Sequence, residues 1–331
     1  MPNLLLFGDL HLRKGHLQQG EEACSALVAK AEEVSPDIIV LMGDVLHTHE
    51  MAHISPFKLL EGLLDDLRKI APVYVLVGNH DFKSASEDQT GEHFLGPYKK
   101  WAKVRVIDRV TEIALDGHTI VATPYLPYGK FCSSVEEVIE DLDQVDLILT
   151  HQPFSVVDPK AEALPLDYPV VYSGHIHDKC HPQSNLHYIG SSCQENYSEK
   201  PDKYACLVEV SEKGVSHRYL RLDIRSIHLE KVRVDELDVK KLVKITQHHE
   251  VRLILQGTRE EKADFQSQKE NRLLVAAGIK TTWEIDLVDR VTVAPAKRKR
   301  KDFGTLLEDL IRESDQKVKD AYSMIYGKEV K

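Results

Sequence analysis

The sequence predicts an α/β protein of two packed β-sheets flanked by helices, with a smaller α/β module after them. Three observations carry this. Two apolar runs, 37–42 and 73–77, are continuous rather than alternating, as in strands buried on both faces, and a helical pattern separates them. Beyond residue 100 the pattern shifts to shorter strands, which a second sheet packed face to face on the first would bury. Around Asp223 the character changes again, and a module of about 70 residues begins, enough for its own core.

The elements come in order. Residues 3–8 read as a short apolar strand. Residues 20–34 read as a helix because Ala23, Ala26, Leu27, Ala31 and Val34 recur at helical spacing, and Pro36 closes it. Strand 37–42, helix 55–70 and strand 73–77 complete a β-α-β-α-β alternation. Short strands are expected at 104–107, 111–115, 119–123, 145–150, 170–173, 186–189, 204–210 and 215–222, with a helix near 134–142. The later module reads as strand 225–234, helix 235–246, strand 249–256, helix 259–276 and strand 280–288. The basic run Lys297 to Lys301 marks a solvated linker over 295–304. Leu306, Leu307, Leu310, Ile311, Val318 and Tyr322 then give 305–331 an amphipathic helical face, expected to dock on a partner.

Composition bounds the function. A chain of 331 residues exceeds one small core, so a large domain plus a smaller one is expected. Hydrophobic residues at 42% and charged residues at 29% fit a soluble globular protein. No apolar run approaches the roughly 20 residues of a membrane span. The opening apolar run is too short for a signal peptide and lacks a basic flank. A cytoplasmic protein is expected, in the host cytoplasm if the chain is viral. Five cysteines without a Cys-x-x-Cys pair favour reduced thiols over a disulfide framework or zinc knuckle. A net charge of −10 argues against coating nucleic acid by bulk charge. It leaves a nuclease open, because bound divalent ions supply positive charge locally.

The chemistry sits in five short blocks, each ending an apolar run: Asp9-Leu10-His11, Gly43-Asp44, Gly78-Asn79-His80-Asp81, His151, and Gly174-His175-Ile176-His177. Asp, Asn and His hold hard and borderline divalent ions through oxygen and nitrogen. Any block alone has a bland reading: Gly-Asp at a strand end is usually a turn, and a single histidine is usually a satisfied polar group. Five blocks on five strand-like segments imply one convergent site, because ligands gather at the carboxyl ends of strands in open α/β sheets. Such a site suits two ions about 3.5–4 Å apart, which hydrolyse phosphate esters. Asp44, on the middle of the three early strands, is the expected bridge. Asp9, His11 and His177 complete one ion, and Asn79, His151 and His175 the other. His80, next to a ligand, is expected at the rim as a proton donor to the leaving oxygen, with Asp81 orienting it. His47 is expected to face the substrate.

In this order the blocks resemble the calcineurin-like metallophosphoesterase superfamily, over residues 3–177 and with no block missing. The resemblance implies a four-layer α/β sandwich and a dinuclear site, manganese being the first choice and magnesium the second. A narrower resemblance is to the SbcD and meiotic-recombination nuclease family, nearest to its compact phage members. It rests on Gly43-Asp44-Val45-Leu46-His47, where Leu46 replaces the usual Phe. It rests also on Tyr188-Ile189-Gly190-Ser191 followed by Glu199, Lys203 and Val208-Glu209-Val210. This implies a nuclease domain over 1–222, a DNA-binding cap over 223–294 and an ATPase-binding helical segment over 305–331. It also implies the same ligand set and His80 as the catalytic histidine. The activity implied is double-strand exonuclease and single-strand endonuclease, with an SbcC-type coiled-coil ATPase as partner, in recombination, repair or replication. A homodimer through residues 55–70 is a further expectation.

The chain has no Gly-x-x-x-x-Gly-Lys-Ser/Thr loop, so any ATP dependence must come from another subunit. The Ser/Thr phosphatase form of the second block, Gly-Asp-x-Val-Asp-Arg-Gly, is absent, since this chain has Gly43-Asp44-Val45-Leu46-His47-Thr48-His49. Two alternatives stand beside the nuclease: a small-molecule phosphodiesterase on the same scaffold, and a non-catalytic scaffold for the ATPase.

Overall fold

Strand β1 (Asn3–Phe7) is followed by helix α1 (Leu17–Val34), strand β2 (Ile38–Leu41), helix α2 (Ile54–Ile70), and strands β3 (Val73–Leu76) and β4 (Val104–Ile107). The computed structural model describes residues 1–49, 51, 53–83 and 92–286. The expected linker 295–304 and helical segment 305–331 lie outside these residues, as does the end of the 223–294 module.

The chain continues through β5 (Thr111–Leu115), β6 (His118–Ala122), α3 (Phe131–Val138), β7 (Leu147–Thr150), β8 (Val170–Ser173), β9 (Cys180–Gln183) and β10 (Leu186–Tyr188). Then come β11 (Tyr204–Ser211) and β12 (Gly214–Arg221). The first sheet has the order β12-β11-β1-β2-β3-β4, and the second β5-β6-β7-β8-β10-β9. In the first, β1 to β4 are parallel, while β11 runs antiparallel to β1. In the second, β6, β7, β8 and β10 are parallel.

Side-chain alternation explains the layers. Leu4, Leu6, Ile38 and Val40 from the first sheet pack with Ile120, Leu147, Leu149 and Tyr172 from the second. Their neighbours Leu5, Phe7, Ile39 and Leu41 point the other way, onto Leu27 of α1 and Leu60, Leu64 and Leu67 of α2. Val121, Ile148 and Val171 face Phe131 and Val135 of α3. The result is the expected arrangement of two packed sheets covered by helices on both outer faces.

Beyond β12 a third sheet forms from β13 (Ser226–Arg233), β14 (His249–Gly257) and β15 (Lys280–Ile285), all parallel, with α4 (Val239–Ile245), α5 (Arg259–Ser267) and α6 (Lys269–Ala276). Leu242, Leu253, Leu255, Phe265 and Leu274 make its core. Arg225 ties this sheet to the body, donating to both Glu22 carboxylate oxygens on α1.

Boundaries differ from the sequence reading in four places. Helix α3 starts and ends earlier than 134–142. The segment 235–246 is a 3-10 turn over Val234–Glu236 and then α4, whose start is set by the Asp238 carboxylate accepting from the Lys241 amide at 3.0 Å. The segment 259–276 is two helices, because Gln268 adopts an extended conformation (φ −75°, ψ 159°) between them. Strand β9 is not expected from the sequence: three of its four residues are exposed, so it carries no apolar pattern.

Candidate metal centre

All five blocks converge where β1, β2 and β3 of the first sheet and β7 and β8 of the second end. The backbone there is unusual. His11 (φ 45°), Asp44 (φ 48°) and His175 (φ 73°) occupy the left-handed region, which costs a non-glycine residue about 1–3 kcal/mol each. Cross-strand bonds hold these turns: the amides of Leu10 and His11 donate to the Asp44 carbonyl at 3.2 and 2.9 Å, and the Gly174 amide donates to Thr150. Gly78 has to be glycine, since a Cβ there would lie 2.2 Å from the Asp44 amide nitrogen and carboxylate.

Asp9, His11 and His177 form one group, with ligand atoms within 4.8 Å of one another. His11 Nε2 and His177 Nε2 face each other at 3.0 Å. The Asp9 carboxylate lies 3.5 Å from His177 Nε2 and accepts from the His175 amide at 3.1 Å. His177 Nδ1 meets Glu199 at 2.9 Å, and Lys203 donates to the same Glu199 carboxylate at 2.8 Å. Burial alone would raise Glu199, but the bonds from His177 and Lys203 bring it down to about 2. A carboxylate held ionised on the far nitrogen orients the ring and leaves Nε2 for a ligand role.

Asp44, His151 and His175 form the second group. His151 is fully buried, with Nδ1 2.7 Å from the Met42 carbonyl and Nε2 3.1 Å from the Asp44 carboxylate. Asn79 Oδ1 lies 3.2 Å from His151 Nε2 and 2.9 Å from His175 Nδ1, which places it in this group too. Asp44 stands between the groups, since its carboxylate is also 3.8 Å from His11 Nε2.

The electrostatics favour cations. Burial would lower His151, but the Asp44 and Asp9 carboxylates push it up to about 10, so this field draws positive charge into a buried pocket. Burial holds His11 well below its ordinary range and brings His175 down to about 3, keeping both imidazoles neutral, the form that ligates metal. His11 Nδ1 is buried without a hydrogen-bond partner among the described residues. Two carboxylates, a side-chain amide and four imidazoles brought together this way fit two divalent ions.

His80 sits at the rim. Its Nδ1 lies 2.8 Å from the His47 carbonyl, its amide donates to Asp44 Oδ1 at 2.8 Å, and its ring stacks with those of His47 and His49. Asp81 does not orient it, contrary to the expectation from sequence. The Asp81 carboxylate is buried and accepts from the amides of Gly78 and Leu46 at 3.0 Å, bracing the turn; the His47 carbonyl is what orients His80. Successive residues in a turn point apart, so adjacency in sequence does not mean contact. Burial, and then Asp44, push Asp81 up to about 7. His49, whose ring stacks on that of His80, is another rim imidazole.

Sequence reasoning missed Arg13 and Glu195. Arg13 Nη1 donates to Glu195 Oε1 at 3.1 Å, and Glu195 lies 3.1 Å from His47 Nδ1 and 3.5 Å from His177 Nδ1. Neither falls in a block, and no local signal marks them.

Residues 2–179 match the family model described as calcineurin-like phosphoesterase. The chain is similar to "Putative phosphoesterase 078R" of Invertebrate iridescent virus 3, 26% identical over 292 residues, covering 86% of this chain and 84% of the relative. It is also similar to "Putative phosphoesterase 244L" of Invertebrate iridescent virus 6, 27% identical over 287 residues, covering 82% and 98%. Among solved structures, a dimetal phosphatase from Danio rerio aligns at 12% identity with a TM-score of 0.46, covering 67% of this chain and 97% of that one.

Proposed function

We propose that this chain, which belongs to the calcineurin-like phosphoesterase family, is a two-metal phosphodiesterase that acts on DNA. The observation that carries this reading is the rim. An imidazole stands over two ligand groups that share Asp44, and a third sheet outside the family domain reaches the same edge. Arg252 of β14 contacts His16 at 3.1 Å, three residues from Arg13, and Lys280 of β15 donates to the Gly15 carbonyl at 3.0 Å. A single small ester does not need a third sheet that brings two cations, which share Glu250 at 3.4 and 3.3 Å, to this edge; a polyanion does.

Manganese is the proposed metal, with magnesium as the alternative. Two such ions supply positive charge to the phosphoryl oxygens and make a water acidic enough to attack at neutral pH. Asp9, His11, His177 and Asp44 would hold one, and Asp44, Asn79, His151 and His175 the other. His80 keeps Nδ1 on the His47 carbonyl and presents Nε2 to the leaving oxygen, which takes its proton.

The partners proposed are DNA and an SbcC-type ATPase bound by residues 305–331, with self-association through α2. The combined activity is duplex exonuclease and single-strand endonuclease in recombination, repair or replication.

The test compares manganese-dependent release of nucleotides from duplex DNA with hydrolysis of bis-p-nitrophenyl phosphate. Activity on both is expected, and His80→Gln lowers both by about 10²–10⁴-fold while manganese still binds. Activity on the small ester alone returns the chain to a small-molecule phosphodiesterase, and loss of metal from His80→Gln removes its role as proton donor.

A further inference from the structure

We propose that Glu195, clamped by Arg13, is a positioning residue of the metal centre: it fixes His47 at the rim and completes the carboxylate surroundings of His11. The inference rests on the reading of this cluster as a two-metal site.

Three carboxylate oxygens surround His11 Nε2 at nearly equal distances: Glu195 at 3.7 Å, Asp44 at 3.8 Å and Asp9 at 3.9 Å. Two of the three belong to the ligand blocks. Glu195 reaches the same place from the loop between β10 and β11, outside every block. Its other oxygen lies 3.1 Å from His47 Nδ1. Together with the approach to His177, one carboxylate therefore stands against imidazoles that come from both main sheets.

The placement is built rather than incidental. Arg13 grips Glu195 at two points, with Nη1 on the side-chain Oε1 at 3.1 Å and Nη2 on the main-chain carbonyl at 2.9 Å. The Glu195 amide donates to Glu199 Oε2 at 3.1 Å. Gln194, just before it, is pinned from two sides: Gln19 of α1 donates to its carbonyl at 2.6 Å, and the Ile227 amide of β13 donates to its Oε1 at 2.7 Å. The Arg13 and Glu195 side chains are 21% and 17% exposed, so their pairing is only weakly screened by water. A carboxylate serving only to neutralise Arg13 has no need to reach three imidazoles as well.

Charge gives the direction of effect. Without the Glu195 carboxylate, Arg13 stands uncompensated 3.3 Å from His47 Nε2 and repels cations entering beside His11. Glu195→Gln keeps the shape and removes the charge.

The experiment titrates Mn2+ into the full chain by calorimetry and measures bis-p-nitrophenyl phosphate hydrolysis in parallel. Glu195→Gln is expected to weaken manganese binding about 10-fold and lower kcat about 10-fold with KM little changed, as for outer residues that orient ligands. Arg13→Lys keeps the charge and loses the two-point grip, so it lowers kcat with manganese affinity unchanged. Wild-type values for manganese affinity and kcat in Glu195→Gln overturn the inference, and a fall in melting temperature alone, with both constants unchanged, does the same. A wild type that binds manganese yet cleaves no diester sinks the functional reading instead, while the titration still decides the role of Glu195.

Discussion

The two ligand groups use the same residue types but are braced differently. Asp44, His151 and His175 are held by backbone: the Met42 carbonyl fixes His151, and tight turns at strand ends place the rest. Asp9, His11 and His177 share such a turn at His11 but add charged side chains: Glu199 and Lys203 stand behind His177, and Glu195 and Arg13 beside His11. A backbone brace cannot relax without moving a strand, whereas a side-chain brace can be removed and partly replaced by water. The second group is therefore expected to be brittle and the first tunable.

Gly43→Ala strikes the backbone brace and should have the largest effect. Gly43 has φ 103°, and a Cβ there would lie 2.4 Å from His151 Nδ1. The buried imidazole has to leave both the Met42 carbonyl and Asp44. Metal analysis should show one ion lost, with activity reduced by at least about 10²-fold and overpacking costing about 1–3 kcal/mol of stability. Two tightly bound ions and normal turnover in Gly43→Ala would show that this brace can yield.

Glu199→Gln strikes the charged brace and should have an intermediate effect, about 10- to 100-fold on manganese affinity or activity. It also carries a pH signature. Glu199 lies at about 2 in the fold against an ordinary 4.5, so its contribution to stability is complete above 4.5 and disappears as pH falls toward 2. Thermal melts should show the gap between wild type and Glu199→Gln closing across that window. A gap that persists at pH 2 would mean that Glu199 acts by shape rather than by charge.

Strand ends, rather than braces, decide what is legible in the sequence. Asp9, Asp44, Asn79 and His151 each follow a buried apolar run closely, so strand periodicity places them, and both main sheets with them. The left-handed turns at His11, Asp44 and His175 leave no trace, because none of the three is glycine. Arg13 and Glu195 sit in polar stretches that read as solvated loop, and only the tertiary fold brings them together across 182 positions. Asp81 misleads because it adjoins His80 in sequence while its carboxylate turns back to cap the Gly78 turn. The helix break at Gln268 escapes for a different reason: no Pro or Gly marks it between residues 259 and 276, and only the fold sets Gln268 in an extended conformation.

Arg225→Ala lies farthest from either brace and should have the smallest effect on the chemistry. Its guanidinium donates to both Glu22 oxygens at 3.0 Å and to the Thr246 carbonyl at 3.3 Å, joining the body to the third sheet. Both side chains are about a third exposed, so the pair contributes no more than about 1 kcal/mol. Manganese affinity and small-diester turnover should stay within about twofold of wild type, because Arg225 touches neither ligand group. Cleavage of long DNA should fall further, since a loosened third sheet no longer holds Arg252 and Lys280 beside the rim. The ratio of the two activities isolates what that sheet contributes. Equal loss on both substrates would place the third sheet in support of the metal centre, through Gln194 and Glu195, and equal retention would take it out of substrate binding altogether.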